Sequence, residues 1–315
     1  MEYNLIIDCL IVLTSIIMLW KGADWLVDSA AEIAHTLKVS DLIIGLTVVA
    51  FGTSAPEFAV TISAAITKQT DISIGNVIGS NIFNLGFILG GTAMIRPIAT
   101  SSKLFNRDCL FLLSTTALIF FLFFGFNGWT PDDQFSQNEG LLLFLLLISY
   151  VTFLFIKKDP PEEVHPATAT YKSYLYFFIG LALIVLGGDL MVKHASNVAR
   201  YMGISDWVIA VTIVAAGTSA PEFATSVSAA LKGRHGIAIG NLIGSDLFNL
   251  LGVLGLAGMI NPAMISQDIY NSVVLLVLMV GVTLFMIRSN WSISRTEGTI
   301  LVTINLVRWY FDFAG

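Results

Sequence analysis

GTSAPEFA occupies residues 52–59 and returns unchanged at residues 217–224, 165 positions later. Each copy lies inside a long apolar run, where an ionised glutamate is costly unless something uses it. Those runs belong to a chain of 315 residues that is 56% hydrophobic and 12% charged, with a mean hydropathy of +0.81. That is too little charge to cover a soluble globule, and runs of membrane-spanning length recur from end to end. Composition predicts an all-α membrane protein.

Ten apolar segments lie near 5–27, 40–67, 72–95, 104–126, 140–156, 173–195, 206–231, 236–260, 269–288 and 297–313. The one long polar stretch, KKDPPEEVHPATATYK at 157–172, carries the prolines and charges of a surface connection. It divides the chain into a first half, 1–156, and a second, 173–315. The opening MEYNLIIDCL has Glu2 and Asp8 and no basic leader, so the first segment reads as a retained span. Twelve of the 16 Lys and Arg fall in odd-numbered loops, Lys21, Lys38, Arg96 and Lys157 among them. The excess of positive charge puts those loops and the 157–172 linker in the cytoplasm, with both termini outside a plasma (inner) membrane. A net charge of −6 without a basic cluster excludes nucleic acid as a partner. Cys9 and Cys109 sit in apolar surroundings without metal-ligand spacing and read as packing residues. No protein partner is indicated.

Residues 40–97 align with 205–262 without a gap, and roughly half the aligned positions are identical, the mark of an internal duplication. Ser40-Asp41 faces Ser205-Asp206, Thr47 faces Thr212, and GNVIGSNIFNL (75–85) faces GNLIGSDLFNL (240–250). Five segments per half is an odd number, so the second copy enters the membrane from the opposite side. The expected fold is ten transmembrane helices as two inverted-topology five-helix repeats. Such repeats build secondary transporters whose site lies where the copies meet.

The motif has a physical reading of its own. Proline lacks an N–H and clashes with the carbonyl four residues earlier, so Pro56 should free the carbonyl of Gly52, and Pro221 that of Gly217. Unpaired carbonyls at membrane depth are tolerated where they line a cavity that uses them. Glu57 and Glu222 have no Lys or Arg within the motif helices to pair with. Carboxylates, hydroxyls and carbonyls together suit Ca²⁺, which takes six to eight oxygens in flexible geometry. Thr53 and Thr218 precede the glutamates by one helical turn; Ser80 and Asn84, like Ser245 and Asn249, share a helix face. Gly75, Gly79, Gly240 and Gly244 read as close-packing positions.

GTSAPE followed by GNxxGSNxFN, twice in two halves, resembles the cation/calcium antiporter superfamily, and most of all its prokaryotic sodium/calcium exchangers. The resemblance implies two long outer helices, the first and sixth segments, sliding against an eight-helix core. It implies calcium ligands at Thr53, Glu57, Thr218 and Glu222. Sodium would use those glutamates with Ser54, Ser219, Ser80, Ser245 and the carbonyls of Ala50 and Ala215, and Asn84 and Asn249 would complete a central position. The ions are transported substrates; no cofactor is expected. Two features depart from parts of the family: Asn249 stands where some microbial members carry aspartate, and Asp246 stands where the first repeat has Asn81. Asp246 reads either as a packing or water-facing acid, or as a group that alters ion choice or carries a proton.

The implied function is Na⁺/Ca²⁺ exchange, with a Ca²⁺/H⁺ antiporter on the same glutamates as the alternative and potassium-dependent exchange as a weaker one. A hydrolase would need a histidine or metal near Ser54 or Ser219, and the sequence has no HExxH. A channel fits paired sites on inverted copies less well than alternating access does. Gly22 and Gly187-Gly188 are candidate pivots of the outer helices, or simple packing residues.

Overall fold

The computed structural model describes residues 5–125, 130, 133–159, 168–204 and 215–314. Helices account for nearly all of it. They are α1 (Leu5–Leu37), α2 (Asp41–Thr53), α3 (Ala55–Ile66), α4 (Thr70–Ile95), α5 (Ser102–Phe124) and α6 (Gln137–Lys157). The second half supplies α7 (Tyr171–Tyr201), α8 (Ala215–Thr218), α9 (Ala220–Leu231), α10 (His235–Ile260), α11 (Gln267–Asn290) and α12 (Arg295–Ala314). Among the described residues, seven helices are long and apolar enough to cross a membrane, or eight if the bent pair α2–α3 is one span. The seventh sequence segment, 206–231, is described only from Ala215 onward, so Ser205, Asp206 and Thr212 lie outside the described residues.

The two outer helices are longer than hydropathy suggests. Asp24, Asp28 and Glu32 end the apolar window of α1, yet the helix runs on to Leu37, with Leu26, Val27, Ala30, Ala31 and Ala34 buried along one face. An amphipathic continuation holds a helix together by packing rather than by lipid contact. α1 and α7 lie antiparallel along their length: Asp8 meets His194 at one end, Gly22 meets Gly180 midway, and Glu32 meets Ser173 at the other. A Cβ on Gly22 would stand 2.8 Å from the Gly180 carbonyl oxygen, and one on Gly180 would stand 2.7 Å from that of Gly22. The helices run unbroken through Gly22, Gly187 and Gly188, and Gly22 and Gly187 are points of close approach.

Burial ranks the helices. In α10, 78% of the apolar window is buried and in α4 67%, against 22% in α1 and 28% in α7. α4 and α10 therefore form the centre, and α1 and α7 present residues such as Leu13, Ile17, Phe178 and Leu186 outward. Gly240 and Gly244 let α10 meet α2: added Cβ atoms would lie 2.8 Å from the Leu42 oxygen and 2.7 Å from the Leu46 oxygen. Among the described residues, nothing lies within 4 Å of a Cβ placed on Gly75 or Gly79.

Two short antiparallel bridges tie turns of the two halves together. β1 (Ile98–Ala99) pairs with β4 (Ser292–Ile293), and β2 (Gln134–Phe135) pairs with β3 (Ala263–Met264). At the end of α6, Asp159 is clasped by Lys103 and Arg107 of α5. Burial alone would raise its carboxyl, but the two cations outweigh it and hold Asp159 below the usual carboxylate range.

Candidate cation site

Each GTSAPE copy breaks a helix at its serine. Ser54 (φ −77°, ψ 8°) separates α2 from α3, and Ser219 (φ −92°, ψ 9°) separates α8 from α9. Pro56 and Pro221 then fall in the first turn of the new helix, where a missing N–H costs nothing. The α2–α3 break bends the path by 51°. Pro56 leaves the Gly52 carbonyl without its i+4 donor, as the sequence implies. The Ala50 carbonyl accepts the Ser54 N–H at 3.1 Å and the Thr53 hydroxyl at 3.3 Å, so it enters the site already engaged. Ala215 is the equivalent residue in α8 and the first residue described after 204.

The breaks place Glu57 and Glu222 in the first turns of α3 and α9, both at most 1% exposed. Each is held from the opposite half. Ser54 donates to Glu222 Oε1 at 3.0 Å, and Ser219 donates to Glu57 Oε1 at 2.9 Å. Thr53 and Ser245 lie beside Glu222, and Thr218 beside Glu57. The Thr53 hydroxyl has Asn241 Oδ1 at 3.0 Å as the nearer alternative acceptor for its one hydrogen, and lies 3.4 Å from the Ser245 hydroxyl.

α4 and α10 close the site from the centre. Both contain a widened π-helical turn, Asn84–Leu89 and Phe248–Val253, within one residue of the same motif position, a distortion common at functional sites. Ser80 and Asn84 are buried, as are Ser245 and Asn249. Asn84 Nδ2 donates to Asp246 Oδ1 at 3.0 Å and Asn249 Nδ2 to Asn81 Oδ1 at 3.2 Å, so each central asparagine is held by the other half. Asp246 is fully buried, which removes its water-facing reading.

What this leaves over is chemically specific. Glu57 Oε2, Glu222 Oε2, Asn84 Oδ1, Asn249 Oδ1 and Asp246 Oδ2 are five buried oxygens that have no hydrogen-bond donor among the described residues. Buried acceptors without donors are rare because each costs its full desolvation. Hard cations are the partners such oxygens fit. The structure therefore brings together Thr53, Ser54, Glu57, Asn84, Thr218, Ser219, Glu222, Ser245, Asp246 and Asn249, with Ser80 buried one turn before Asn84. A nearby cavity of about 310 Å³, lined by Phe51, Phe58, Phe144, Phe248 and Leu256 and reaching Ser54, is apolar and offers ions nothing comparable.

Sequence reasoning passed over Asn76 and Asn241, the asparagines of the two GN pairs. Asn241 Nδ2 donates to the Glu222 carbonyl oxygen at 3.3 Å and to Ser226 at 3.1 Å, and Asn76 makes the same pair of bonds to Glu57 and Thr61. They brace the first turn after each break. Their identical placement in both repeats was the available signal.

The sodium/calcium exchanger protein family model matches residues 8–156 and again 172–312. The putative antiporter CaxA of Alkalimonas amylolytica is 36% identical, over 98% of this chain and 100% of its own. The sodium/calcium exchanger MaX1 of Methanosarcina acetivorans is 34% identical, over 94% of this chain and 95% of its own. Among solved structures, the sodium-calcium exchanger NCX_Mj soaked with 10 mM Na⁺ and zero Ca²⁺ superposes with a TM-score of 0.83 at 30% identity, covering 96% of this chain and 98% of that one. Full-length similarity, a doubled family match and a shared fold agree, and the chain belongs to the sodium/calcium exchanger protein family.

Proposed function

We propose that this protein is a secondary antiporter that exchanges Na⁺ for Ca²⁺ by alternating access, through one ion cluster at the meeting of its two repeats. The observation that carries this reading is the set of buried oxygens, contributed by both halves, that have no donor among the described residues. Ca²⁺ binds Thr53, Glu57, Thr218 and Glu222. Na⁺ uses Glu57 and Glu222 with Ser54, Ser80, Ser219, Ser245 and the Ala50 and Ala215 carbonyls. Asn84 and Asn249 complete the central position.

The two halves, 1–156 and 173–315, act as inverted five-helix repeats, giving ten transmembrane helices joined by a cytoplasmic linker at 157–172. The family match in two separate stretches supports that division. The protein lies in the plasma membrane with both termini outside. The names of MaX1 and NCX_Mj support Na⁺ and Ca²⁺ as the substrates.

Exchange follows from charge. With Glu57 and Glu222 ionised, one Ca²⁺ neutralises the pair. Sodium ions compete for the same carboxylates, so full occupancy by both is excluded. An empty dianionic site in a dry, closed cavity is costly, so the helices rearrange with ions bound and stall without them.

Na⁺-loaded proteoliposomes diluted into Na⁺-free buffer test this by uptake of radioactive Ca²⁺. Wild type should accumulate Ca²⁺, and Glu57→Gln should lose at least about a hundredfold in rate, since it removes a ligand both ions need. Equal uptake by the variant sinks the site. Uptake driven by a proton gradient alone keeps the site and makes the protein a Ca²⁺/H⁺ antiporter.

A further inference from the structure

We infer that Asp246 is a positioning residue of the ion cluster: through Asn84 it turns a central carbonyl oxygen toward the cations and thereby sets Na⁺ affinity. The inference rests on reading the buried oxygens as the ion site. Asp246 belongs to none of the ligand sets assigned above, and the repeat does not require it, because Asn81 stands at the equivalent position.

A carboxylate offers acceptors only, whereas an amide offers a donor group and an acceptor pointing opposite ways. Asn84 meets Asp246 Oδ1 through its Nδ2, at 3.0 Å. With the nitrogen fixed there, Asn84 Oδ1 is forced to the other side, where it has no donor among the described residues. Asparagine at 246 would present both a donor and an acceptor and would permit the reversed pairing, with the Asn84 amide nitrogen facing the cations.

The other half reaches the same result by a longer route. Asn81 could pair with Asn249 in either sense, but its Nδ2 is committed to the Asp246 backbone oxygen at 3.2 Å. Only its Oδ1 is left, and Asn249 donates to it at 3.2 Å. One residue, Asp246, thus anchors both chains of bonds: its side chain orients Asn84, and its main chain orients Asn81 and hence Asn249. Both central oxygens end up free and buried. Asn81, Asn84, Asp246 and Asn249 are all at most 1% exposed, so bulk water does not reach these groups.

A double-mutant cycle separates positioning from an independent contribution. Wild type, Asp246→Asn, Asn84→Ala and the double variant are reconstituted, and half-saturating Na⁺ and Ca²⁺ are each measured for exchange. Loss of one oriented buried oxygen should raise half-saturating Na⁺ about fivefold in Asp246→Asn, with a smaller change for Ca²⁺. In the Asn84→Ala background the same substitution should add less than about twofold, because the group it positions is gone. Full additivity, or an equal loss for both ions, overturns the inference. Should Asp246→Asn fail to elute as a folded protein, Asn84→Asp carries the test. It lacks the donor to Asp246 while keeping oxygens, so Na⁺ must bind more weakly than in wild type; equal or tighter binding overturns the inference. Absence of Na⁺-driven Ca²⁺ uptake in wild type would instead strike the proposed function itself.

Discussion

α1 and α7 occupy equivalent places 165 residues apart, yet they treat their neighbours differently. α1 lies along α9, where Ser228 donates to Asp24 Oδ1 at 3.0 Å and Lys232 pairs with Asp24 at 3.2 Å and Asp28 at 2.8 Å. The equivalent contact would set α7 along α3 and join Ser63 to Asp189. Both residues are present, and both are exposed. Asp189 and Lys193 enter no ion pair among the described residues. The sequence thus encodes one contact twice and the structure makes it once. Under the alternating access proposed above, the second arrangement should form Ser63–Asp189 as Ser228–Asp24 parts.

Cross-linking gives the largest effect. With Cys9 and Cys109 replaced by alanine, Asp24→Cys with Ser228→Cys should oxidise readily and stop exchange almost completely, with recovery on reduction. Asp189→Cys with Ser63→Cys should oxidise slowly at rest and faster when Na⁺ and Ca²⁺ together drive turnover. If the second pair never links during transport, the two contacts do not alternate.

The comparison also assumes that α1 and α7 move as one body. Their close approach at Gly22 and Gly180 is the physical basis, since a side chain at 180 would meet the Gly22 oxygen at 2.7 Å and the Leu26 nitrogen at 2.8 Å. Both are backbone atoms and cannot step aside. Gly180→Val should cost about 1–3 kcal/mol of stability and at least tenfold in exchange rate, read from thermal unfolding in detergent and from Ca²⁺ uptake. Gly281→Ala is the control; nothing in the structure lies within 4 Å of a Cβ placed there. Normal transport by the Gly180→Val variant would mean that the pair has slack and that α1 and α7 can shift separately.

The centre of the site was legible in the sequence and its supports were not. Two glutamates with no basic partner, repeated with a helix-breaking proline, can hardly be read otherwise, because hydrocarbon makes each of them expensive. The reciprocal bonds Ser54 to Glu222 and Ser219 to Glu57 were implied only once the copies were taken to meet. Asn76 and Asn241 stayed hidden because asparagine beside glycine reads as a helix-packing spot, and their bonds depend on the tertiary placement of the broken turns. The π-helical turns at Asn84 and Phe248 carry no local signal at all. Asp246 was visible as a departure, but its burial and its hold on Asn84 come from the meeting of α4 and α10. The lengths of α1 and α7 were missed for a related reason: packing extends them past the point where hydropathy ends.

The smallest expected effect concerns Lys232, whose counterpart in the first half is Thr67. Lys232 adds an ion pair, and a bond to the Asp24 carbonyl oxygen at 3.0 Å, on one side of the molecule only. It therefore biases the resting arrangement toward the α1–α9 contact. The bias is modest because the partners are accessible: Lys232 is 27% exposed and Asp28 62%. Ion pairs of that kind are worth about 0.2–1 kcal/mol. In the Asp24→Cys background Lys232 keeps its pair with Asp28 and its bond to the residue-24 carbonyl oxygen, so Lys232→Thr should lower the rate of linking at 24 and 228 relative to that at 63 and 189 by about twofold. Salt screens such pairs, so raising ionic strength with choline chloride should shrink the difference in the wild-type background and leave the variant unmoved. A ratio that ignores both the substitution and the salt would place the source of the asymmetry elsewhere, in the apolar packing of α1 along α9, and would leave Lys232 as a surface charge.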